Sequence, residues 1–275
     1  MKKVLIFTYS YGRGGSELNA YKIIKLADNT KFDWGVINNS DTKLLDEIKS
    51  TKNLDCNFSL NLFNSKSIKI LNCLKTLFNI LKKENYQTVY AVGFLPALLI
   101  SFFKPFFSFR FISTRRERMP WARFYHVPFI FFINMLSDYI ETNSKTIAIE
   151  LKKSNLLKKK IYFIPNIILN HTNKKHKIFL DQKKKYIGNI ANVRSPKNID
   201  LFLSLTLNLT KKNDDLIFIL VGKDSFDGKV NNFIKKNKLQ NRLFIFEDIS
   251  YKDIFSIYLG LDIFLFTSIH EGSPN

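Results

Sequence analysis

Five short segments carry residue types that could grip an anion or a sugar. The first is Gly12-Arg13-Gly14-Gly15-Ser16-Glu17, set between an apolar run and a helical one. Glycines there let the backbone turn tightly and approach a ligand, and the free amides of a helix start attract phosphate. The spacing is not GxGxxG, and no acidic residue ends the next strand as a dinucleotide site requires. A plain strand–helix turn with Ser16 as N-cap accounts for the segment equally well. The second, Ile164-Pro165-Asn166, is on its own a turn. The third, Gly188 to Asn198, holds Arg194 and Lys197 just ahead of a helix. An Arg fork and a Lys point charge suit phosphate oxygens. On a chain with 43 Lys and Arg, a solvated basic loop is the competing reading. The fourth, Val221-Gly222-Lys223, is a strand running into glycine. The fifth, His270-Glu271-Gly272-Ser273-Pro274, sets a carboxylate beside a turn, where it could hold sugar hydroxyls. A lone loop Glu is more often solvated, and a lone His more often structural.

The elements that must position these segments alternate. Short apolar runs at Val4–Thr8, Phe32–Ile37, Thr88–Val92, Arg110–Ser113, Tyr139–Thr142 and Ile161–Ile164 read as strands. Helical periodicity fills Ser16–Leu26, Ser65–Lys83, Leu95–Phe103, Trp121–Leu136 and Lys145–Ser154 between them. The polar, Lys-rich stretch 171–185 reads as a linker. Beyond it the alternation restarts, with strands at Tyr186–Ala191, Leu216–Val221, Leu243–Phe246 and Ile263–Phe266. Helices fall at Ile199–Leu209, Lys229–Lys238 and Tyr251–Leu259. The expectation is an α/β chain of two Rossmann-like parallel-sheet domains, 1–170 and 186–275, facing a cleft. Ligands of such sheets bind at the carboxyl ends of strands, where all five segments lie.

Composition narrows the partners. The 275 residues carry a net charge of +20, which favours anionic ligands or surfaces. Nucleic acid fits the charge, but no recognition-helix, RNP or OB signature accompanies it, and the lysine clusters fall at helix ends and linkers. Cys56 and Cys73 form no CxxC, and the four His are scattered, so neither a disulfide framework nor a metal site is expected. A reducing, cytoplasmic compartment fits. The apolar runs Ala91–Phe103 and Val127–Leu136 are too short to span a bilayer. They read either as core helices or as a Phe-rich surface flanked by Lys104, Arg110, Arg115, Arg116, Arg118 and Arg123, able to dock on an anionic membrane.

The order of the motifs resembles the retaining glycosyltransferases of the GT-B fold, in the large group often called family 4. Gly14-Gly15-Ser16-Glu17 is similar to that group's GG-x-E loop. Ser137 to Ser144 (SDYIETNS) resembles its stretch around the last strands of the N-terminal domain, and Ile164-Pro165-Asn166 its closing turn. Arg194-Ser195-Pro196-Lys197-Asn198 resembles its basic loop. Phe218–Gly222 and Leu243–Phe246 match its strands, and Leu261–Pro274 its segment ending in E-G-x-P. The likeness spans essentially the whole chain.

The resemblance implies a nucleotide-diphosphate-sugar donor, UDP- or GDP-linked, held by the C-terminal domain, with no metal or other cofactor. Lys197 and Arg194 would neutralise the diphosphate, Glu271 with Gly272 would contact the sugar, and Gly14, Gly15 and Gly222 would approach the donor or acceptor. The acceptor would be a saccharide or lipid-linked saccharide in bacterial surface-polysaccharide assembly at the inner face of the cytoplasmic membrane. Three departures stand out. Asn189 occupies a position often held by Arg, Arg115-Arg116 stands where many members have His, and the second Glu of E-x7-E would fall beyond Asn275. The second domain is therefore expected to be incomplete, and an inactive remnant is the alternative reading. A sugar-nucleotide epimerase of the same fold is a further option.

Overall fold

The run Val4 to Phe7 is unbroken in apolar character because both of its faces are covered. Leu5 and Phe7 face one core with Leu77, Leu81, Ile100 and Phe111. Val4 and Ile6 face another with Ala20, Tyr21, Ile24 and Trp34. That is the pattern of a parallel strand with helices on each side. The structure, a computed structural model, describes residues 2–8, 15–28, 30–37, 54–58, 68–116, 119, 122–154, 159–168, 181, 183–226, 228–247, 249 and 251–269. The described residues divide into two compact units, 2–168 and 181–269. The expected linker lies largely outside the described residues.

The first unit is built on β1 (Lys2–Thr8), β2 (Phe32–Ile37), β3 (Leu54–Phe58), β4 (Thr88–Val92), β5 (Arg110–Thr114), β6 (Tyr139–Thr142) and β7 (Lys160–Phe163). They form one sheet in the order β3-β2-β1-β4-β5-β6-β7, with every pairing parallel. Its helices are α1 (Gly15–Leu26), α2 (Ile68–Glu84), α3 (Phe94–Phe103), α4 (Val127–Leu136) and α5 (Lys145–Lys153). The strand order reverses between β1 and β4, and such a switch point opens a crevice at the carboxyl ends of strands.

The second unit carries β8 (Lys185–Ile190), β9 (Leu216–Val221), β10 (Leu243–Phe246) and β11 (Ile263–Phe264), in the order β10-β9-β8-β11, again all parallel. Helices α6 (Ile199–Thr210), α7 (Lys229–Lys236) and α8 (Tyr251–Gly260) connect them. Phe218 and Leu220 of β9 enter one core with Phe202 and Leu203, while Ile217, Ile219 and Val221 enter the other with Ile257. At Gly188 of β8 a Cβ would sit 2.4 Å from the Leu261 side chain, so the glycine lets Leu261 pack directly on the strand.

Two expectations need correction. The helix expected over Trp121–Leu136 begins only at Val127, after a 3-10 turn at Phe124–His126. Pro128 sits in the first turn, where its missing N–H is harmless and its fixed φ starts a helix. Strand β3 was not expected at all. Its sequence, LDCNF, lacks an apolar run because it pairs only with β2 at the sheet edge.

Candidate functional site

In the second unit, a polar relay fixes the basic loop. Asn189, near the carboxyl end of β8 and only 3% exposed, donates from Nδ2 to Thr267 Oγ1 at 3.0 Å. That hydroxyl donates onward to the Lys197 carbonyl at 2.9 Å. The Ile269 amide donates to the Pro196 carbonyl at 2.9 Å. The 3-10 turn Ser195–Lys197 is thereby held against the segment that follows β11. Asn198 ends the turn in the left-handed region (φ 48°) and opens α6, a conformation Asn tolerates better than most residues. The partial positive charge of the α6 N-terminus thus adjoins Lys197, which is half-buried, and Arg194, which is exposed. Of the sequence-predicted residues, the structure brings Arg194 and Lys197 onto one turn. Glu271 and Gly272 lie outside the described residues, two and three positions past Ile269.

Gly222 has a packing reason of its own. Its φ is 149°, and a Cβ there would lie 2.3 Å from the Ala191 carbonyl oxygen. The end of β9 can therefore lie against the loop after β8. The Val193 amide donates to the Lys223 carbonyl, and the Lys223 amide to Asn192 Oδ1, each at 2.9 Å.

In the first unit, Gly15 starts α1 after β1, at the switch point; Gly14 is outside the described residues. Gly93, which the sequence analysis did not single out, turns the chain from β4 into α3 at φ 94° and donates its N–H to Thr114 Oγ1 at 3.0 Å. Beside it lies a buried polar cluster at the carboxyl ends of β5, β6 and β7. Arg116 Nη2 pairs with Glu141 Oε2 at 3.1 Å, with side-chain exposures of 9% and 3%. Tyr90 donates its hydroxyl to Glu141 at 2.6 Å and accepts from Arg116 at 2.8 Å. Arg116 Nη1 and Asn143 Nδ2 both donate to Asn166 Oδ1, at 3.3 and 3.1 Å, so the Ile164-Pro165-Asn166 turn is part of the cluster. Burial, then the Glu141 charge, push the Tyr90 hydroxyl pKa far up, so it stays protonated. Arg116 Nε and Asn143 Oδ1 are buried without a hydrogen-bond partner among the described residues. Sequence reasoning missed Tyr90 and Glu141. The available signal was a carboxylate in a short buried strand, which must find a cation.

This corrects the reading of the Arg pair and of the basic flank. Arg115 is buried and donates to Asn134 Oδ1 at 2.9 Å; burial pushes its pKa down to about 10, which leaves it charged at neutral pH. Lys104 is paired with Asp138 at 2.8 Å. Three of the six expected surface cations are thus turned to internal partners. An open depression of about 340 Å³ lined by Lys104, Arg110, Asp138 and Tyr139 lies at the amino ends of β5 and β6, the end opposite to where ligands bind. Among the described residues no group of three His, Cys, Asp or Glu could hold a metal ion.

Comparison with known proteins agrees with this frame. Residues 170–274 match the family model of Glycosyl transferases group 1. A glycosyltransferase from Rickettsia africae superposes with a TM-score of 0.74 at 19% identity, over 98% of this chain and 73% of its own. Anabaena HepE, in complex with UDP and glucose, gives 0.76 at 14% identity, over 98% and 74%. The UDP-GlcNAc 2-epimerase of Methanocaldococcus jannaschii gives 0.66 at 12% identity, over 96% and 78%. No curated protein matches the sequence. The two parallel sheets are those of the GT-B fold, the second domain being the smaller. Residues 170–274, on that scaffold, are the part similar to group 1 glycosyl transferases.

Proposed function

We propose that this protein transfers a sugar, with retention of configuration, from a nucleoside-diphosphate sugar to a saccharide acceptor. In the transfer, the bond from the sugar to the β-phosphate oxygen breaks, and a bond to an acceptor oxygen forms. Negative charge grows on the departing diphosphate, and fixed positive charge stabilises it most when it is already in place. The observation that carries the reading is the anchored turn Ser195–Lys197. It sets Arg194, Lys197 and the α6 N-terminus at the carboxyl end of β8, within the segment that matches glycosyltransferases. Glu271 and Gly272 are proposed to hold the sugar hydroxyls. Gly222 lets the end of β9 lie against the loop after β8 that carries Arg194. HepE, the neighbour crystallised with UDP and glucose, supports UDP as the nucleotide to try first, with GDP as the alternative.

On the acceptor side, Gly15 at the start of α1, after the carboxyl end of β1, lets the backbone approach a hydroxylated ligand. We propose a lipid-linked saccharide of surface-polysaccharide assembly, worked on at the inner face of the membrane. No helix among the described residues is long and apolar enough to cross a bilayer. Calorimetry with UDP- and GDP-sugars tests the reading. Micromolar binding of one of them supports a transferase, and its absence would favour an inactive chain. Release of free UDP with an epimerised free sugar, rather than transfer, would favour the epimerase reading.

A further inference from the structure

Helix α4, VPFIFFINML, contains no charged residue and one polar residue, Asn134, yet the only residue it buries is Ile133. Val127, Phe131 and Met135 recur at four-residue spacing on the side opposite Ile133 and all are exposed. That is the side on which a helix facing water carries charge. Phe132 joins this stripe to Phe102 of α3, with ring centroids 5.4 Å apart. Just before the helix, Phe124 is 85% exposed, with Tyr125 beside it. Among the described residues, nothing of its own unit covers this face. Its charge points to what covers it. Over residues 94–136 the sequence has six Lys and Arg against one acid, Glu117, on a chain of net charge +20. Arg123, next to Phe124, is exposed at the edge of the face. Two copies pairing through this face would bring like charges together, whereas an anionic bilayer is complementary to it.

We infer that the outer side of α4, with Phe124 and Tyr125, is a docking surface that inserts aromatic rings into an anionic lipid bilayer. It extends the surface-working part of the proposed function and does not depend on sugar transfer. Because Lys104, Arg115 and Arg116 are committed to internal partners, insertion of rings dominates and the charges steer. Binding should therefore weaken with salt yet persist.

The test is sedimentation of the full chain with vesicles of phosphatidylcholine containing about one third phosphatidylglycerol, without donor or acceptor. The double variant Phe124→Ser/Phe131→Ser should partition at least about tenfold less, since Phe124, 85% exposed, and Phe131, 49% exposed, each give their open ring area to the apolar layer. Phe124 is almost fully exposed and Phe131 half so, and the melting temperature should fall only slightly, leaving the chain folded. Phe244→Ser, an exposed ring of the second unit, should partition like the wild type. Equal partitioning of the double variant and the wild type would overturn the inference. So would a wild type that ignores these vesicles, or that forms a dimer which the double variant abolishes. Sugar-nucleotide calorimetry of the same samples reports on the transferase reading separately.

Discussion

Replacing Thr267 by Val removes one hydroxyl and little volume, and it breaks both links of the relay to Lys197. In the wild type that hydroxyl accepts from Asn189 at 3.0 Å and donates to the Lys197 carbonyl at 2.9 Å, and both Thr267 and Asn189 are buried. Valine leaves the Asn189 amide without this acceptor and the Lys197 carbonyl without this donor. An unsatisfied buried group costs about 1–3 kcal/mol, and the remaining Pro196–Ile269 link limits the disruption, so roughly 2 kcal/mol is expected. Part of it should appear as lost order in the Ser195–Lys197 turn. Donor affinity measured by calorimetry should then fall about tenfold, the equivalent of about 1.4 kcal/mol. Thr267→Ser keeps the hydroxyl and should restore most of the affinity. The double variant Asn189→Leu/Thr267→Val also removes the stranded Asn189 amide, so it should recover that part of the lost stability without recovering donor affinity. If Val and Ser bind donor equally and unfold alike, the relay does not position Lys197 and the reasoning fails.

Other outcomes follow from the same structure. Glu141→Gln leaves Arg116 buried without its counter-charge, and breaking such a pair costs about 3–5 kcal/mol, less where the new amide still accepts. Both tryptophans, Trp34 and Trp121, precede residue 168, so tryptophan fluorescence during urea unfolding reads the first unit directly. Gly222→Ala should destabilise the second unit by about 2 kcal/mol or more, because its Cβ meets backbone rather than a movable side chain and its φ is unfavourable; hydrogen exchange on β9 would show it. Asp138 adds an acid-side effect. Burial alone would raise its carboxyl pKa, but the hydrogen bonds from Lys104 and the Phe111 amide, with the charges of Lys104 and Lys159, outweigh this and hold it below the ordinary 3.8. A depressed carboxyl stabilises the fold above its unfolded pKa, and the gain fades as pH falls through the folded one. Asp138→Asn should therefore flatten the stability profile below about pH 4, which a thermal-melt series would detect.

The frame was legible in the sequence where burial on two faces makes a strand read as an apolar run. Val4 to Phe7 and Leu216 to Val221 are such runs, and both are central strands. Edge strand β3 has one strand partner and a mixed sequence, and it left no such signal. Arg194 and Lys197 were legible because two cations ahead of a helix say something locally. The residues that anchor them were not, since Asn189 and Thr267 are 78 positions apart and a Thr after a strand has no distinctive chemistry by itself. The Arg115-Arg116 pair misled for the same reason: Glu141 and Asn134, which take up these side chains, are distant in sequence. Charge count alone does not say which way a cation points.

The central claim is that the anchored turn binds a sugar nucleotide through its positive charge. The most direct measurement is calorimetric titration of UDP, then GDP, into the wild type and Lys197→Ala, with circular dichroism to show that both are folded. The account predicts micromolar binding of one nucleotide by the wild type and at least about tenfold weaker binding by the variant, as expected for losing a charge-assisted contact. Unchanged affinity in Lys197→Ala, or no binding of either nucleotide by the folded wild type, would contradict it.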